Sequence, residues 1–435
     1  MKYYSTNKKV NGVSLQDAVV KGLADDNGLF MPDQIKKLPQ SFFDTIEKLS
    51  FQEIAYTVAD AFFGEDVEAD ALKKIVYETL NFDVPLVPVS EDVYSLELYH
   101  GPTLAFKDVG GRFMSRLLAY FIQKQSKIKV NVLVATSGDT GSAVANGFLG
   151  VDGIHVYVLY PKGLVSPIQE SQFTTLGQNI TALEVDGTFD DCQRLVKSAF
   201  MDEELNAHMK LTSANSINVA RFLPQSFYYF YAYAQLKKIS VSASQNMVMC
   251  VPSGNFGNIT AGLFAKRMGL PVKRFIAANN RNDIFLQYLQ TGEYKPRPSV
   301  STIANAMDVG DPSNFARVLD LFGGSHAAIA AEISGVSYND EQIAASLRTC
   351  YNETGYLLDP HGACGYQALK DKLADNETGI FMETAHPAKF LETVENIIER
   401  KVEIPAKLQE FMKGTKQSLS LSKNFNAFKA YLLSI

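Results

Sequence analysis

Residues 132–145 read VLVATSGDTGSAVA, and this stretch decides the fold class. An apolar, β-branched run ends in a small polar turn, Thr136 to Gly141, and the residues after the turn favour a helix. A second stretch, VMCVPSGNFGNI at residues 248–259, has the same order. A strand, a glycine-rich turn and a helix in this order bring loop N–H groups and a helix N-terminus together, which is typical of an anion site.

Short β-branched runs and helical stretches alternate on both sides of these two loops. The sequence predicts strands at residues 130–135, 155–160, 180–185, 247–251 and 273–278, with helices near 142–149, 166–176, 188–200 and 259–268. This alternation predicts an α/β fold with parallel sheets, in which ligands bind at the carboxyl ends of the strands. Neither loop matches the P-loop or the dinucleotide motif. One such loop is also common as a purely structural turn, but two in one chain favour a ligand site.

The chain is expected to have three parts. These are an N-terminal helical domain at residues 1–90, a core at 91–400 and a helical tail at 401–435. Within the core, a smaller domain at roughly 130–225 is inserted into a larger one. The aromatic-dense residues 217–238 predict a buried helix, with an aromatic binding platform as the alternative.

Composition excludes several classes of protein. The chain has 435 residues, of which 46% are hydrophobic and 20% charged, and its net charge is −6, so it is a folded protein that is poorly suited to nucleic acid. No apolar run reaches the roughly 18 residues of a membrane helix. The four cysteines and six histidines are scattered, which predicts neither disulfides nor a metal site. Residues 1–7 show no secretory signal, so a cytoplasmic location is expected.

One lysine is notable for its surroundings. Lys107 follows the apolar residues Leu104 to Phe106 and precedes a helical stretch. A lysine in apolar surroundings loses its proton more readily and becomes nucleophilic toward carbonyl groups. From the local sequence alone, a surface lysine in the first turn of a helix is the simpler interpretation.

Five motifs in one order carry a resemblance that spans residues 3–395. They are GLADDNGLF at 22–30, HGPTLAFKD at 100–108, ATSGDTG at 135–141, PSGNFGN at 252–258 and ETAHPAKF at 383–390. Together they resemble the threonine synthase family of pyridoxal-phosphate enzymes, which has the tryptophan-synthase-β-like fold, also called fold type II. The resemblance implies a lyase that acts on a carbon–oxygen bond to phosphate, with pyridoxal 5'-phosphate as its cofactor.

The same motifs imply roles for individual residues. Lys107 is expected to carry the cofactor and to be the catalytic base, and Thr384 to face the pyridine nitrogen. The cofactor phosphate is expected on the second loop, whose residues are Ser253, Gly254, Asn255, Phe256, Gly257 and Asn258. Asp139 is expected near the cofactor's phenolic oxygen, where it is either protonated or orients its loop from behind. His100 and His386 either line the pocket or have a structural role.

The reaction that the resemblance implies converts O-phospho-L-homoserine and water into L-threonine and phosphate, the last step of threonine biosynthesis. The expected substrate-binding residues are Ser137, Gly138 and Thr140 for the carboxylate, and Asn215, Ser216, Arg221 and Lys162 for the phosphate. Two alternatives stay open. One is a phospho-lyase that acts on phosphohomoserine or phosphothreonine and releases 2-oxobutyrate, and the other is a non-catalytic anion-binding protein on the same fold. The expected assembly is a monomer or a homodimer.

Overall fold

The structure, a computed structural model, describes residues 1–124 and 129–435, and these fall into two compact units. The first unit comprises Met1–Met31, Lys107–Arg221 and Ile404–Ile435. The second unit comprises Pro32–Phe106 and Phe222–Glu403. Each unit is therefore built from separate stretches of the chain.

The strands and helices are numbered along the chain. The strands are β1 Lys2–Ser5, β2 Val13–Ser14, β3 Phe30–Pro32, β4 Leu86–Ser90, β5 Val93–Glu97, β6 Val130–Ala135, β7 Ile154–Pro161, β8 Ile180–Asp186, β9 Lys210–Ser213, β10 Met247–Pro252, β11 Arg274–Asn279, β12 Ile333–Ser337, β13 Thr378–Glu383 and β14 Leu419–Ser422. The α-helices are α1 Leu15–Lys21, α2 Gln40–Thr45, α3 Phe51–Phe63, α4 Ala69–Thr79, α5 Lys107–Lys124, α6 Asp139–Phe148, α7 Pro167–Thr174, α8 Phe189–Met201, α9 Glu203–His208, α10 Val219–Phe222, α11 Phe227–Ile239, α12 Val241–Gln245, α13 Gly257–Arg267, α14 Ile284–Thr291, α15 Phe315–Leu321, α16 His326–Glu332, α17 Asp340–Thr354, α18 Pro360–Lys372, α19 Leu391–Ile398, α20 Ala406–Met412 and α21 Phe425–Leu433. Short 3₁₀ helices lie at Ile46–Lys48, Leu223–Ser226, Asn305–Met307 and Pro387–Phe390.

The first unit is organised around a parallel sheet with the strand order β14-β8-β7-β6-β9. The sequence of β6 is apolar along almost its whole length, as expected for a strand that is covered on both faces. Helix α8 begins with a capping box at Thr188 and Asp191 and packs on β6 and β7. One hydrophobic core of this unit joins β6 to β8 with α8, α9 and the end of α21, where Phe428 and Leu432 are buried.

The second unit is organised around a sheet with the strand order β12-β11-β10-β13-β5-β4. The pairs from β12 to β5 are parallel, and β4 closes the sheet by an antiparallel pairing with β5. Helix α18 packs on β13 and β10. Because parallel strands have their carboxyl ends at one edge, the segments that follow β10, β13 and β5 leave the sheet side by side.

The structure confirms the α/β architecture and the five strands predicted from the β-branched runs, with end shifts of no more than one residue. The aromatic-dense stretch contains α11, which is buried along most of its length, as the helix interpretation predicts. All four cysteines are free and buried. Within the described residues no helix is long and apolar enough to cross a membrane, and no cluster of side chains could hold a metal ion.

Candidate active site

Three segments that the sequence singles out meet at one edge of the second unit's sheet. The loop Ser253 to Asn258 follows β10, Thr384 follows β13, and residues 98–106 follow β5. Strand β13 lies between β10 and β5 and forms a parallel pairing with each of them. The edge formed by these three carboxyl ends is where an open α/β sheet binds its ligands.

The loop from Ser253 to Asn258 has the backbone of an anion site. Its first residue is held by a hydrogen bond from its amide N–H to the carbonyl of Ala278 at 2.8 Å. Phe256 caps α13 with a left-handed backbone, at φ 63° and ψ 8°, which is rare for a residue with a side chain. A left-handed residue at this place turns successive N–H groups toward one point, in line with the positive end of the helix. Gly254 is required here, because a Cβ would lie 2.9 Å from the carbonyl oxygen of Ala306.

Asn258 adds a side-chain donor to this loop. Its side-chain oxygen accepts a hydrogen bond from the hydroxyl of Tyr229 at 2.8 Å, which turns the amide nitrogen the other way. That nitrogen is buried and has no hydrogen-bond partner among the described residues. A buried N–H without an acceptor is costly, by about 1–3 kcal/mol, so its presence at a helix N-terminus fits a bound anion such as a phosphate.

Thr384 is tied to the segment that leads to Lys107. Its carbonyl accepts a hydrogen bond from the amide of Phe106 at 2.8 Å, and Ala385 forms an antiparallel bridge with Ala105. Lys107 is the next residue of the chain and begins α5. Backbone contacts at Ala105 and Phe106 therefore join the motif that contains Lys107 to the motif that contains Thr384.

A buried polar network lies behind Thr384. The carboxylate of Asp359 accepts hydrogen bonds from the backbone N–H groups of His361, Gly362 and Ala385, and one from His361 Nδ1 at 2.9 Å. The other ring nitrogen of His361, Nε2, accepts from the amide of Ala306 at 3.1 Å, which places the ring proton that Asp359 accepts on Nδ1. The network thus joins the backbone after Thr384 to the turn that packs against Gly254.

Glu383 is a second buried carboxyl in this network. One of its oxygens accepts the amide N–H of Asp359 at 2.6 Å, and the other has no partner among the described residues. Burial raises the pKa of Glu383 well above its usual range, and the negative charge of Asp359 adds to the shift. Glu383 therefore keeps its proton to a higher pH than an exposed glutamate does.

The raised pKa of Glu383 predicts a pH dependence of stability. In the unfolded chain Glu383 ionises above about pH 4.5, whereas in the folded protein it keeps its proton to higher pH. Between these two pKa values the free energy of unfolding of the parent falls as pH rises, by up to about 1.4 kcal/mol per pH unit. Glu383→Gln keeps the acceptor for Asp359 and removes this ionisation. We expect the variant to become more stable relative to the parent between about pH 5 and about pH 8, measured as urea midpoints.

The control for this prediction is Glu97→Gln. Burial opposes ionisation of Glu97, but hydrogen bonds from His100 and Tyr356 outweigh it and lower the pKa of this carboxyl. A lowered pKa stabilises the folded parent fully above about pH 4.5, and this effect is lost only as the pH falls below that value. The stability difference between Glu97→Gln and the parent is therefore expected to stay constant between about pH 5 and about pH 8. Equal pH slopes for the two variants would contradict the raised pKa of Glu383.

The two histidines of the motifs have different environments. His100 is partly exposed, and its Nε2 lies 2.7 Å from Glu97. His386 accepts the amide N–H of Ala388 with its Nδ1 at 3.1 Å. Burial lowers the pKa of His386 to about 4, and the nearby His100 adds to the shift. His386 is therefore neutral at physiological pH, with its proton on Nε2.

The predicted substrate residues lie in the first unit, at the carboxyl ends of β6, β7 and β9. Ser137 is partly exposed on the turn between β6 and α6, and Thr140 is partly exposed in the first turn of α6. Gly138 has φ 142° and no room for a Cβ, which would lie 2.6 Å from the side chain of Gln169. The hydroxyl oxygen of Thr136 accepts the amides of Gly138 and Gly141 at 2.9 and 2.8 Å and so fixes the turn.

Asn215 and Asp139 are both used within this unit. The side-chain amide of Asn215 donates to the carbonyl of Ala135 at 2.9 Å and accepts from its amide at 3.3 Å, which clamps the end of β6. Asp139 is buried and accepts a hydrogen bond from Gln169 Nε2 at 2.8 Å. Both contacts would hold the turn from Thr136 to Gly141 in place.

The remaining predicted phosphate residues differ in exposure. Arg221 is buried, with a guanidinium that donates to the carbonyl of Ala214, and Gly110 leaves room for it on α5. Ser216 is partly exposed and Lys162 is exposed. Asn215 and Ser216 thus follow β9, and Lys162 follows β7, the two strands that flank β6, whereas Arg221 is buried.

Sequence reasoning missed several residues of the second unit. They are Tyr229, which orients Asn258, the network residues Asp359, His361 and Glu383, and the pair Asn314 and Arg317. Asp359 carried a local signal, because an aspartate before a proline is typical of a helix N-cap. Glu383 begins the motif at 383–390, but the motif gave it no role. The others carried no local signal, because the contacts that define them join residues 24 or more positions apart or depend on burial.

Comparisons with known proteins identify the family of the chain. The family model described as "Pyridoxal-phosphate dependent enzyme" matches residues 83–380, "Threonine synthase N terminus" matches 2–80, and "Threonine synthase, C-terminal" matches 362–432. The chain is 43% identical to the threonine synthase of Serratia marcescens over 435 residues, the whole of both chains. It superposes on the crystal structure of threonine synthase from Escherichia coli with a TM-score of 0.94, 42% identity and full coverage of both. A PLP-bound threonine synthase from Brucella melitensis gives a TM-score of 0.92 at 34% identity, covering 100% of this chain and 99% of that one.

The fold and the site together define a pyridoxal-phosphate dependent enzyme of fold type II. Its cofactor is pyridoxal 5'-phosphate, and it is a lyase that acts on a small molecule. Within this class the chain belongs to the threonine synthase family, and its function is that of the family. The predicted fold class, family and cofactor are confirmed.

Proposed function

We propose that the enzyme converts O-phospho-L-homoserine and water into L-threonine and phosphate, as the last step of threonine biosynthesis. The observation that carries the proposal is the convergence of three loops at one sheet edge, where a buried amide donor, Asn258 Nδ2, lies at a helix N-terminus. Bound pyridoxal phosphate withdraws electrons from the substrate's α-carbon and so makes its proton removable.

Lys107 is the proposed cofactor lysine and catalytic base. Its amine would hold the cofactor covalently before the substrate binds and would then move protons at the substrate carbons. The hydrogen bond from Phe106 to Thr384 supports this role, because it fixes the backbone directly before the lysine.

The loop Ser253 to Asn258 is the proposed phosphate cradle of the cofactor. Its backbone N–H groups, the N-terminus of α13 and Asn258 Nδ2 would share the charge of the phosphate. Thr384 is the proposed partner of the pyridine nitrogen. A hydroxyl there, unlike a carboxylate, does not stabilise a protonated nitrogen, and this tempers the electron withdrawal.

We assign the substrate to residues of the first unit. Ser137, Gly138 and Thr140 are the proposed carboxylate site, and Ser216, Asn215, Arg221 and Lys162 the proposed phosphate site. The hydrogen bond from Gln169 to Asp139 favours the second interpretation of that aspartate, in which it orients the turn from behind. The hydrogen bond from the Asn215 side chain to the carbonyl of Ala135 supports a positioning role for the Asn215 amide as well.

We also propose that the enzyme is cytoplasmic, that it acts as a monomer or homodimer, and that it binds neither nucleic acid nor membrane. The net charge of −6 supports the last point, because phosphate backbones and anionic lipids attract basic surfaces. The proposed domain organisation is the one expected from the sequence, with the core at 91–400 between an N-terminal domain at 1–90 and a tail at 401–435.

A product assay tests the function. The purified protein is incubated with pyridoxal phosphate and O-phospho-L-homoserine, and amino acid, keto acid and phosphate are quantified in one sample. We expect threonine and phosphate in equal amounts, because water replaces the leaving group within the same turnover. Equal amounts of phosphate and 2-oxobutyrate would instead identify a phospho-lyase, and the absence of any product would identify a binding protein. O-phospho-L-threonine in a parallel sample measures the selectivity between the two phosphorylated substrates.

A further inference from the structure

The phosphate cradle is held from behind at Asn255. The side-chain oxygen of Asn255 accepts the amide of Ser313 at 2.7 Å. Its backbone carbonyl accepts two hydrogen bonds from Asn314, from the amide at 3.3 Å and from side-chain Nδ2 at 3.1 Å. Residues 313 and 314 therefore fix both the side chain and the peptide of Asn255.

The position of this carbonyl decides where the next N–H group points. In a trans peptide the C=O of one residue and the N–H of the next point in opposite directions, and the chain has no cis peptide bond among the described residues. When Asn314 draws the Asn255 carbonyl to one side, the amide of Phe256 must face the other. Phe256 is also the residue with the left-handed backbone, a conformation that persists only where its surroundings impose it.

Arg317 determines the orientation of Asn314. Its guanidinium nitrogen Nη1 donates to the side-chain oxygen of Asn314 at 2.6 Å. A guanidinium has only donors, so it must face the oxygen of the Asn314 amide, which leaves the nitrogen end for Asn255. Asn314 is fully buried, and a reversed amide would place donor against donor at one contact and oxygen against oxygen at the other.

Packing holds Arg317 itself in place. The side chain is fully buried, and the guanidinium lies 4.0 Å from the centre of the Phe222 ring, in cation–π contact. Burial lowers the pKa of Arg317 to about 9, which still leaves it charged at neutral pH. A planar donor that is stacked and enclosed loses little further entropy when it holds Asn314.

We propose that Asn314 and Arg317 are positioning residues for the cofactor phosphate, which act by holding the Asn255 carbonyl away from the anion and the Phe256 N–H toward it. This proposal rests on the proposed role of the loop Ser253 to Asn258. Neither residue has to touch the cofactor. Their effect should therefore be confined to recognition of the phosphate group.

The test compares two ligands that differ only in the phosphate, pyridoxal phosphate and pyridoxal. The full-length protein without cofactor is titrated with each, and the ratio of the two dissociation constants gives the phosphate preference. We expect Arg317→Met to reduce this preference roughly tenfold or more, a change of about 1.4 kcal/mol or more, mainly by weakening pyridoxal phosphate. A general structural defect would weaken both ligands alike and leave the ratio unchanged.

Asn314→Asp is the second variant, because a buried Arg317→Met change could also affect folding. Aspartate keeps the shape and still accepts from Arg317, but it replaces the donor to the Asn255 carbonyl with an oxygen. The same loss of phosphate preference is expected. The matched control is Arg267→Met, since Arg267 stacks on Phe322 at the opposite end of α13 and should leave the ratio as in the parent.

The possible outcomes distinguish the positioning role of Asn314 and Arg317 from the phosphate cradle on which it rests. A parent protein with no preference for pyridoxal phosphate over pyridoxal overturns the phosphate cradle and the positioning role with it. A parent with a strong preference that Asn314→Asp and Arg317→Met both retain overturns the positioning role alone. A loss in both variants but not in Arg267→Met supports it, and ³¹P spectra of the bound cofactor should then show a shifted phosphate resonance in the two variants only.

Discussion

Replacing Lys107 with alanine is expected to abolish threonine formation and the visible absorption of the bound cofactor, while the chain stays folded. In the proposed site the amine of Lys107 has two tasks, the covalent attachment of the cofactor and proton transfer at the substrate carbons. A lost general base alone reduces rates by roughly 10²–10⁴-fold, and loss of the attachment adds to this. The measurements are the absorbance spectrum with added pyridoxal phosphate and the initial rate of phosphate release.

The matched control is Lys124→Ala at the other end of the same helix. Lys124 is exposed and its ammonium lies 4.6 Å from the centre of the Tyr120 ring, so its loss removes a contact on the surface. This variant should keep both the absorption and the rate. A Lys107→Ala protein that retains the visible band and turns over substrate would place the cofactor on another lysine. Lys389 would be examined next, since it is buried beside the same loop and donates to the carbonyl of Thr103.

The strands of the parallel sheets were predictable where the chain is locally β-branched. Strand β6 is an example, because three of its six residues are valine and a glycine-rich turn marks its end. Strand β13 was not predicted as a strand, although Thr384 follows it directly. Its residues include Gly379 and Met382, and it becomes a strand because β10 and β5 pair with it on both sides. Such pairing involves residues more than 100 positions apart, and no local pattern encodes it.

The C-terminal tail shows the same limit. The apolar spacing of Phe425, Phe428 and Leu432 predicts the amphipathic helix that is α21. The strand β14 just before it was missed, since its residues are mostly exposed and its identity depends on pairing with β8. The cofactor loops were predictable because glycine, serine and asparagine at a strand end are chemically specific. The residues that hold those loops, Asp359, Asn314 and Arg317, act through burial and distant backbone, which only the folded chain defines.

Replacing Asp359 with alanine is expected to produce the largest loss of stability among single changes near the site. Its carboxylate is fully buried and accepts three backbone N–H groups and the proton of His361 Nδ1. Alanine leaves these donors without an acceptor, and each buried, unsatisfied donor costs about 1–3 kcal/mol when water cannot reach it. Because a cavity of this size admits some water, we expect about 3–5 kcal/mol in total, measured as a shift of the urea midpoint at constant slope.

An ordinary helix cap provides the control, since Asp359 is also the N-cap of α18. Asn339 caps the neighbouring α17 on the protein surface with a complete capping box, and Asn339→Ala should cost about 1 kcal/mol. If Asp359→Ala costs no more than this, the buried network contributes nothing beyond a cap.

Asp359→Asn separates the two ends of the network, because an amide can still accept from the start of α18 but presents a donor to the N–H of Ala385. The carboxylate should therefore prove necessary for the backbone that follows Thr384, and Asp359→Asn should weaken cofactor binding more than its loss of stability accounts for.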